Sequence, residues 1–138
     1  MIKKLLVAYD GSGAARKAFE RSLEMAQCFG AQLAIVVVLR PPEFAEEVET
    51  RAVIENARSR FDPEIAKLQT RARAAGIEPV TYTCVGHPAE QIIATADRWA
   101  ADLIVTGHRG QGLFERWLLG SVSRVVIAYA RCAVLVVR

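Results

Sequence analysis

The amino-acid sequence predicts an α/β fold, a doubly wound, mainly parallel five-stranded sheet with helices on both faces. Three observations carry this. Continuous apolar runs recur ("LLVAY", "AIVVVL", "DLIVTG") without polar alternation, as strands covered on both faces require. Between the strands lie helical patterns, with apolar residues spaced by three and four. The resulting order, β-α-β-α-β-α-β-α-β, demands right-handed crossovers that return each strand parallel to its neighbour.

In chain order, "IKKLLVAYD" is the first strand. Ser12 caps a helix running to about Phe29, with Ala14, Ala15, Ala18, Phe19, Ser22, Leu23 and Ala26 at helical spacing. Gly30 stands where a C-terminal cap belongs. "AQLAIVVVL" is the second strand, ended by Pro41 and Pro42. From Glu43 to Ala75 the pattern is helical, and Asp62-Pro63-Glu64 predicts an interruption there. Asp62 would cap a restarted helix with Pro63 at its first position, closed by Gly76. The pattern leaves open whether Glu43–Arg60 is wholly helix or partly loop. "EPVTYTCV" alternates as a third strand, and "GHPAEQIIATADRWAAD" is a turn and a helix with Pro88 near its start. "DLIVTG" is the fourth strand; a glycine-rich loop, a helix near Ser121–Ala130 and a last strand, "AVLVVR", follow. With no internal repeat, low-complexity tract or linker, residues 1–138 are expected to form a single domain.

Composition excludes several classes. An apolar content of 52% against 24% charge argues for a packed core rather than disorder. No run approaches the roughly 18 apolar residues of a membrane span, and the opening apolar segment is too short for a signal peptide, so a cytoplasmic location is expected. The net charge of +3 comes from arginines spread along the chain, and no basic stripe for nucleic acid emerges. Cys28, Cys84 and Cys132 form no CxxC pair and read as reduced core residues.

In a doubly wound sheet, ligands bind beyond the carboxyl ends of the strands, where strand order reverses. That nominates "YDGS", "VVVL" and "VTGHRG". Gly107, Gly110 and Gly112 let backbone amides approach an anion closely, and Gly120-Ser121-Val122-Ser123 opens a helix whose N–H groups suit a phosphate. The two serine hydroxyls add donors, and Arg109 and Arg124 add charge. Loop chemistry alone leaves a phosphate grip and an ordinary strand-to-helix corner equally open.

The spacing G-x2-G-x9-G-[S/T], met by Gly107, Gly110, Gly120 and Ser121, resembles the nucleotide-binding signature of the ATP-binding branch of the universal stress protein family. The resemblance runs from "LLVAYDGS" through "ADLIVTGHRG" and "LLGSVSRVV" to "CAVLVV". It implies strand order 3-2-1-4-5 and binding of ATP, or of AMP or ADP, together with Mg²⁺, in a stress-response role. By the same resemblance, Asp10 would lie beside the ribose and phosphates and help hold a divalent ion, and Val38 would contact adenine. Gly107 would pack against the ribose, while Gly110, Gly120, Ser121, Val122 and Ser123 would hold phosphates with Arg109 nearby. It also implies a homodimer through the last strand, residues 133–138.

Bland roles stand beside these. Asp10 can shape the "DGSG" turn, Val38 is a core residue in either case, and Arg109 can be a solvated loop charge. His87 reads as a turn residue, and His108 lies inside the motif within reach of a phosphate. Trp117 with Leu113, Phe114 and Leu118 forms an apolar face suited to packing, with a partner surface or lid as the other reading. No GxxxxGK[ST] loop, HEXXH or Gly-x-Ser-x-Gly elbow is present. No general base for activating water stands out, so a nucleotide-dependent regulator or sensor is expected. The alternatives are a slow ATPase or phosphotransferase, and an interaction module of the same fold that does not bind nucleotide.

Overall fold

A computed structural model describes residues 1–108 and 119–138. The elements are β1 (Lys4–Ala8), α1 (Gly13–Phe29), β2 (Gln32–Leu39), α2 (Glu47–Ala74), β3 (Val80–Val85), α3 (Pro88–Trp99), β4 (Leu103–Gly107), α4 (Ser121–Tyr129) and β5 (Ala133–Val137). The sheet has the order β3-β2-β1-β4-β5, and every pairing is parallel. Val7 of β1 stands opposite Ile35 of β2 on one side and Val105 of β4 on the other. This is the doubly wound, five-stranded α/β architecture expected from the sequence.

The unalternating apolar runs have a direct cause. Leu5 and Val7 face one core, shared with Phe19 and Leu23 of α1 and Leu68 and Ala72 of α2. Leu6, between them, faces a second core with Ala34, Val36 and Ile104, under Ile92 and Ala96 of α3 and Val126 of α4. All three β1 residues are fully buried, each contributing about 1.5–3 kcal/mol by leaving water. The strand is therefore apolar at every position. Edge strand β3 is only half covered and keeps the polar residues Thr81 and Thr83.

Helix ends follow their sequence signals. The Ser12 hydroxyl accepts from the Ala15 amide at 3.0 Å, and Gly30, at φ 62°, closes α1 in the left-handed conformation. Pro88 occupies the first turn of α3. Asp102, just before β4, accepts from the amides of Lys3 and Lys4 at 2.8 and 2.9 Å, tying the chain's start to the sheet.

Two expectations are corrected. The Asp62-Pro63-Glu64 interruption does not occur: α2 runs unbroken through Pro63. Proline removes one helical hydrogen bond, but one apolar stripe spans it, with Ile54, Ala57 and Phe61 before it and Ile65, Leu68 and Ala72 after it, all packed on the same core. Packing on both sides outweighs the missing bond. Residues 43–46 lie outside the helix. The cysteines are all free, but Cys28 is exposed and Cys84 and Cys132 are half-buried, so none is a fully buried core residue. Cys28 falls on the outward face of α1, which its apolar neighbours in sequence concealed. Among the described residues no helix is long and apolar enough to cross a membrane.

Candidate functional site

A cavity of about 920 Å³ opens at the carboxyl ends of β1, β2 and β4. Successive strands run outward from β1 through β2 to β3, and then from β4 to β5 on the other side, so the order reverses between β1 and β4. The cavity thus lies where the topology of a doubly wound sheet leaves its crevice.

Just past the end of β1 stand Tyr9 and Asp10. Gly11 takes φ 84°, and the Asp10 carboxylate accepts from the Ser12 amide at 2.9 Å, an Asx turn that fixes the carboxylate against the cavity. From β2 come Leu39 and the half-buried Val38, with Arg40 just beyond; Pro88 and Ile92 of α3 also line the cavity. Gly107 closes β4. A Cβ there would stand 2.8 Å from the Ala14 backbone carbon, so only glycine lets α1 lie this close to the strand.

The opposite wall is the start of α4. Gly120 donates its amide to the His108 carbonyl at 2.9 Å, and the Arg124 amide returns to the Gly120 carbonyl at 3.1 Å. Between them the amides of Ser121, Val122 and Ser123 belong to the first helical turn, which has no intrahelical acceptor and carries partial positive charge. All three residues line the cavity, with Gly120 and Arg124. The buried Ser123 donates its hydroxyl to the Gly107 carbonyl at 2.8 Å, tying helix to strand. Of the two serines expected to add hydroxyl donors, only Ser121 is exposed to do so.

The structure therefore brings Asp10, Val38, Gly107, Gly120, Ser121, Val122 and Ser123 to one cavity. Arg109 and Gly110 lie outside the described residues, as do Leu113, Phe114, Trp117 and Leu118. His87 is the exposed residue before α3, makes no side-chain cap and does not line the cavity. His108 is buried, its amide donating to the Val137 carbonyl at 2.7 Å and its Nε2 without a partner among the described residues. Among the described residues it does not line the cavity.

Sequence reasoning missed one wall. Val53, Asn56, Ala57, Arg60 and Phe61 of α2 line the cavity. Their spacing, i, i+3, i+4, i+7, i+8, is one face of a helix and was the available signal. Tyr9, also on the lining, is buried, with Glu64 of α2 and Arg16 of α1 acting on its phenol. Burial first, then the Glu64 carboxylate, pushes the Tyr9 phenol above its ordinary pKa. Among the described residues lining the cavity, Asp10 is the one carboxylate, and no group of three or more His, Cys, Asp or Glu side chains is placed to hold a metal.

The sequence profile of the universal stress protein family matches residues 1–138. A universal stress protein of Thermus aquaticus is 38% identical over 141 residues, covering all of both chains. The structure of the universal stress protein UspA from Lactobacillus plantarum superposes with a TM-score of 0.91 at 24% identity, covering 99% of this chain and 98% of that one. A universal stress protein solved in complex with cAMP gives 0.77 at 25% identity, covering 99% and 97%. The Archaeoglobus fulgidus universal stress protein in complex with dAMP gives 0.69 at 25% identity over the full length of both chains. A match along the whole chain, in sequence and in fold, places this protein in the universal stress protein family.

Proposed function

We propose that this protein, as one domain over residues 1–138, binds an adenine nucleotide and acts as a nucleotide-dependent regulator or sensor in a cytoplasmic stress response. The observation that carries the reading is convergence within one cavity: an apolar slot at Val38 and Ile92, a carboxylate at Asp10, and the amides of Ser121, Val122 and Ser123 at a helix start. Relatives of the same fold in complex with cAMP and dAMP support it.

On this reading the base lies against Val38, and Gly107 packs against the ribose beside Asp10. The phosphates meet the start of α4, with Gly120 giving close backbone approach and Arg109, Gly110 and Arg124 adding to the grip. The proposed ligand is ATP, or AMP or ADP. Mg²⁺ would be held by Asp10 together with phosphate oxygens, since Mg²⁺ is commonly bound by one or two carboxylates plus substrate phosphates. Asp10 is already engaged with the Ser12 amide, which suits it to holding a ligand more than to activating water. Binding without efficient turnover follows.

Calorimetry with ATP, ADP and AMP in the presence of Mg²⁺ tests the reading. Saturable heat is expected with the wild-type protein and is expected to be lost in Gly120→Val, whose side chain blocks backbone approach. No heat at millimolar ATP from a folded sample overturns it.

A further inference from the structure

The cavity-facing stripe of α2 stands outside the family signature, yet it is as much a part of the wall as β2 or α4. The first half of α2, up to Arg60, is exposed or half-exposed throughout; Ile54 and Ala57 pack against the core, and Val53, Asn56, Ala57 and Arg60 border the cavity. That face is mixed in character. Val53, Ala57 and Phe61 offer apolar surface, while Asn56 and Arg60 offer polar groups one turn apart. The Arg60 guanidinium lies over the Phe61 ring, 5.6 Å from its centroid, and is in no ion pair among the described residues. The Asn56 carboxamide likewise has no hydrogen-bond partner among the described residues. It is an exposed donor and acceptor side by side, on the same cavity-lining stripe as Val53, Ala57 and Phe61.

The two ends of the cavity are not equivalent. The α4 end presents helix amides; the end bounded by β2, α2 and α3 presents Val38, Leu39, Val53, Ala57, Phe61 and Ile92. A ligand with its phosphates at α4 therefore has its base at the α2 end. There the wall carries a carboxamide, and a few placed polar groups in an apolar pocket are what fix orientation and specificity.

We infer that Asn56 is a specificity-determining residue that reads the base edge of the bound nucleotide. The inference rests on the nucleotide reading above. A carboxamide pairs bidentately with adenine, accepting from the N6 amino group and donating to N7; guanine offers two acceptors at the same edge and leaves the Asn56 carbonyl facing one of them. The α2 wall thus selects adenine over guanine, while the start of α4 holds phosphates common to both.

The test is the ratio of ATP to GTP affinity in wild type and in Asn56→Leu, measured by calorimetry. Leucine is a strong helix former and nearly the same size, so α2 is expected to persist, which circular dichroism checks. Wild type is expected to prefer ATP, and the variant to lose about fivefold or more of that preference, with the loss on the ATP side. The ratio of ATP to AMP affinity, set at the phosphate end, is expected to stay constant; a general loosening of the site would move both ratios. ATP binding with an unchanged ATP-to-GTP ratio overturns the role of Asn56 and leaves the nucleotide reading standing. A folded wild-type protein that binds neither nucleotide overturns both.

Discussion

Gly107 shows how one residue can carry two meanings. The sequence presents it as the first glycine of a ligand-binding spacing, and in the structure it does border the cavity. A Cβ at this position would nevertheless meet Ala14 of α1 at 2.8 Å, so glycine is required by helix–strand packing whether or not a ligand is bound. The sequence could not separate these demands because both select for no side chain. Tyr9 illustrates the reverse, a site residue that no motif announces. Its burial and its contact with Glu64 oppose ionisation, which would set a phenolate beside a carboxylate. The folded-state pKa is raised, so the stabilisation is fully present below the unfolded value of about 10 and is lost as pH rises from there through the folded value. Urea denaturation between pH 9 and 12 is expected to show a steeper loss of stability for wild type than for Tyr9→Phe. Equal slopes would mean that the Tyr9–Glu64 contact does not couple to folding.

At the scale of elements, α1, α3 and all five strands were legible because caps, prolines and periodicity agreed with one another. Ser12 and Gly30 bracket α1, Pro88 starts α3, and the apolar runs mark β1, β2 and β4. Helix α2 was not, because Pro63 gave a local stop signal while the stripe from Ile54 to Ala72 gave a continuous one. Only the tertiary core could decide between them. The same misreading hid the α2 wall of the cavity, since a helix broken at Pro63 gives no reason to place Asn56 and Arg60 over β2. The proline carries a cost that the packing offsets. In a helix interior proline is about 3 kcal/mol less favourable than alanine, and an exposed site that has accommodated the ring recovers less than the full amount. Pro63→Ala is therefore expected to raise stability by about 1–2 kcal/mol, read as a higher urea midpoint with an unchanged slope. A lower midpoint would mean instead that the course of α2 over the cavity depends on the ring.

For the molecule as a whole, the strand order leaves β3 and β5 as the edges of the sheet. The two edges differ. β3 is lined by threonines and tyrosine, whereas β5 is Ala-Val-Leu-Val-Val, and an apolar edge invites pairing with a second chain. The direction of its open hydrogen bonds follows from the ladder. The Val137 carbonyl accepts from His108 and Val137 stands opposite Gly107, so Ala133, Leu135 and Val137 turn their backbone groups toward β4. Val134 and Val136 turn theirs outward. Beside this edge, α4 exposes Val125, Ile127 and Tyr129, which extends the apolar surface. Two copies meeting edge to edge would satisfy the outward groups of both, and this is the physical ground for the homodimer proposed through residues 133–138. Val136→Pro removes one outward-facing N–H and none of those bound to β4, so it is expected to spare the fold and shift the dimer to monomer in sedimentation velocity. Thermal unfolding controls for the fold, because proline is tolerated at sheet edges where no donor is needed. The nucleotide cavity is built from β1, β2, β4 and the helices around them, so a monomeric variant is expected to bind ATP as the parent does. A Val136→Pro protein that stays dimeric would place the interface elsewhere, with the exposed apolar face of α4 as the next surface to probe.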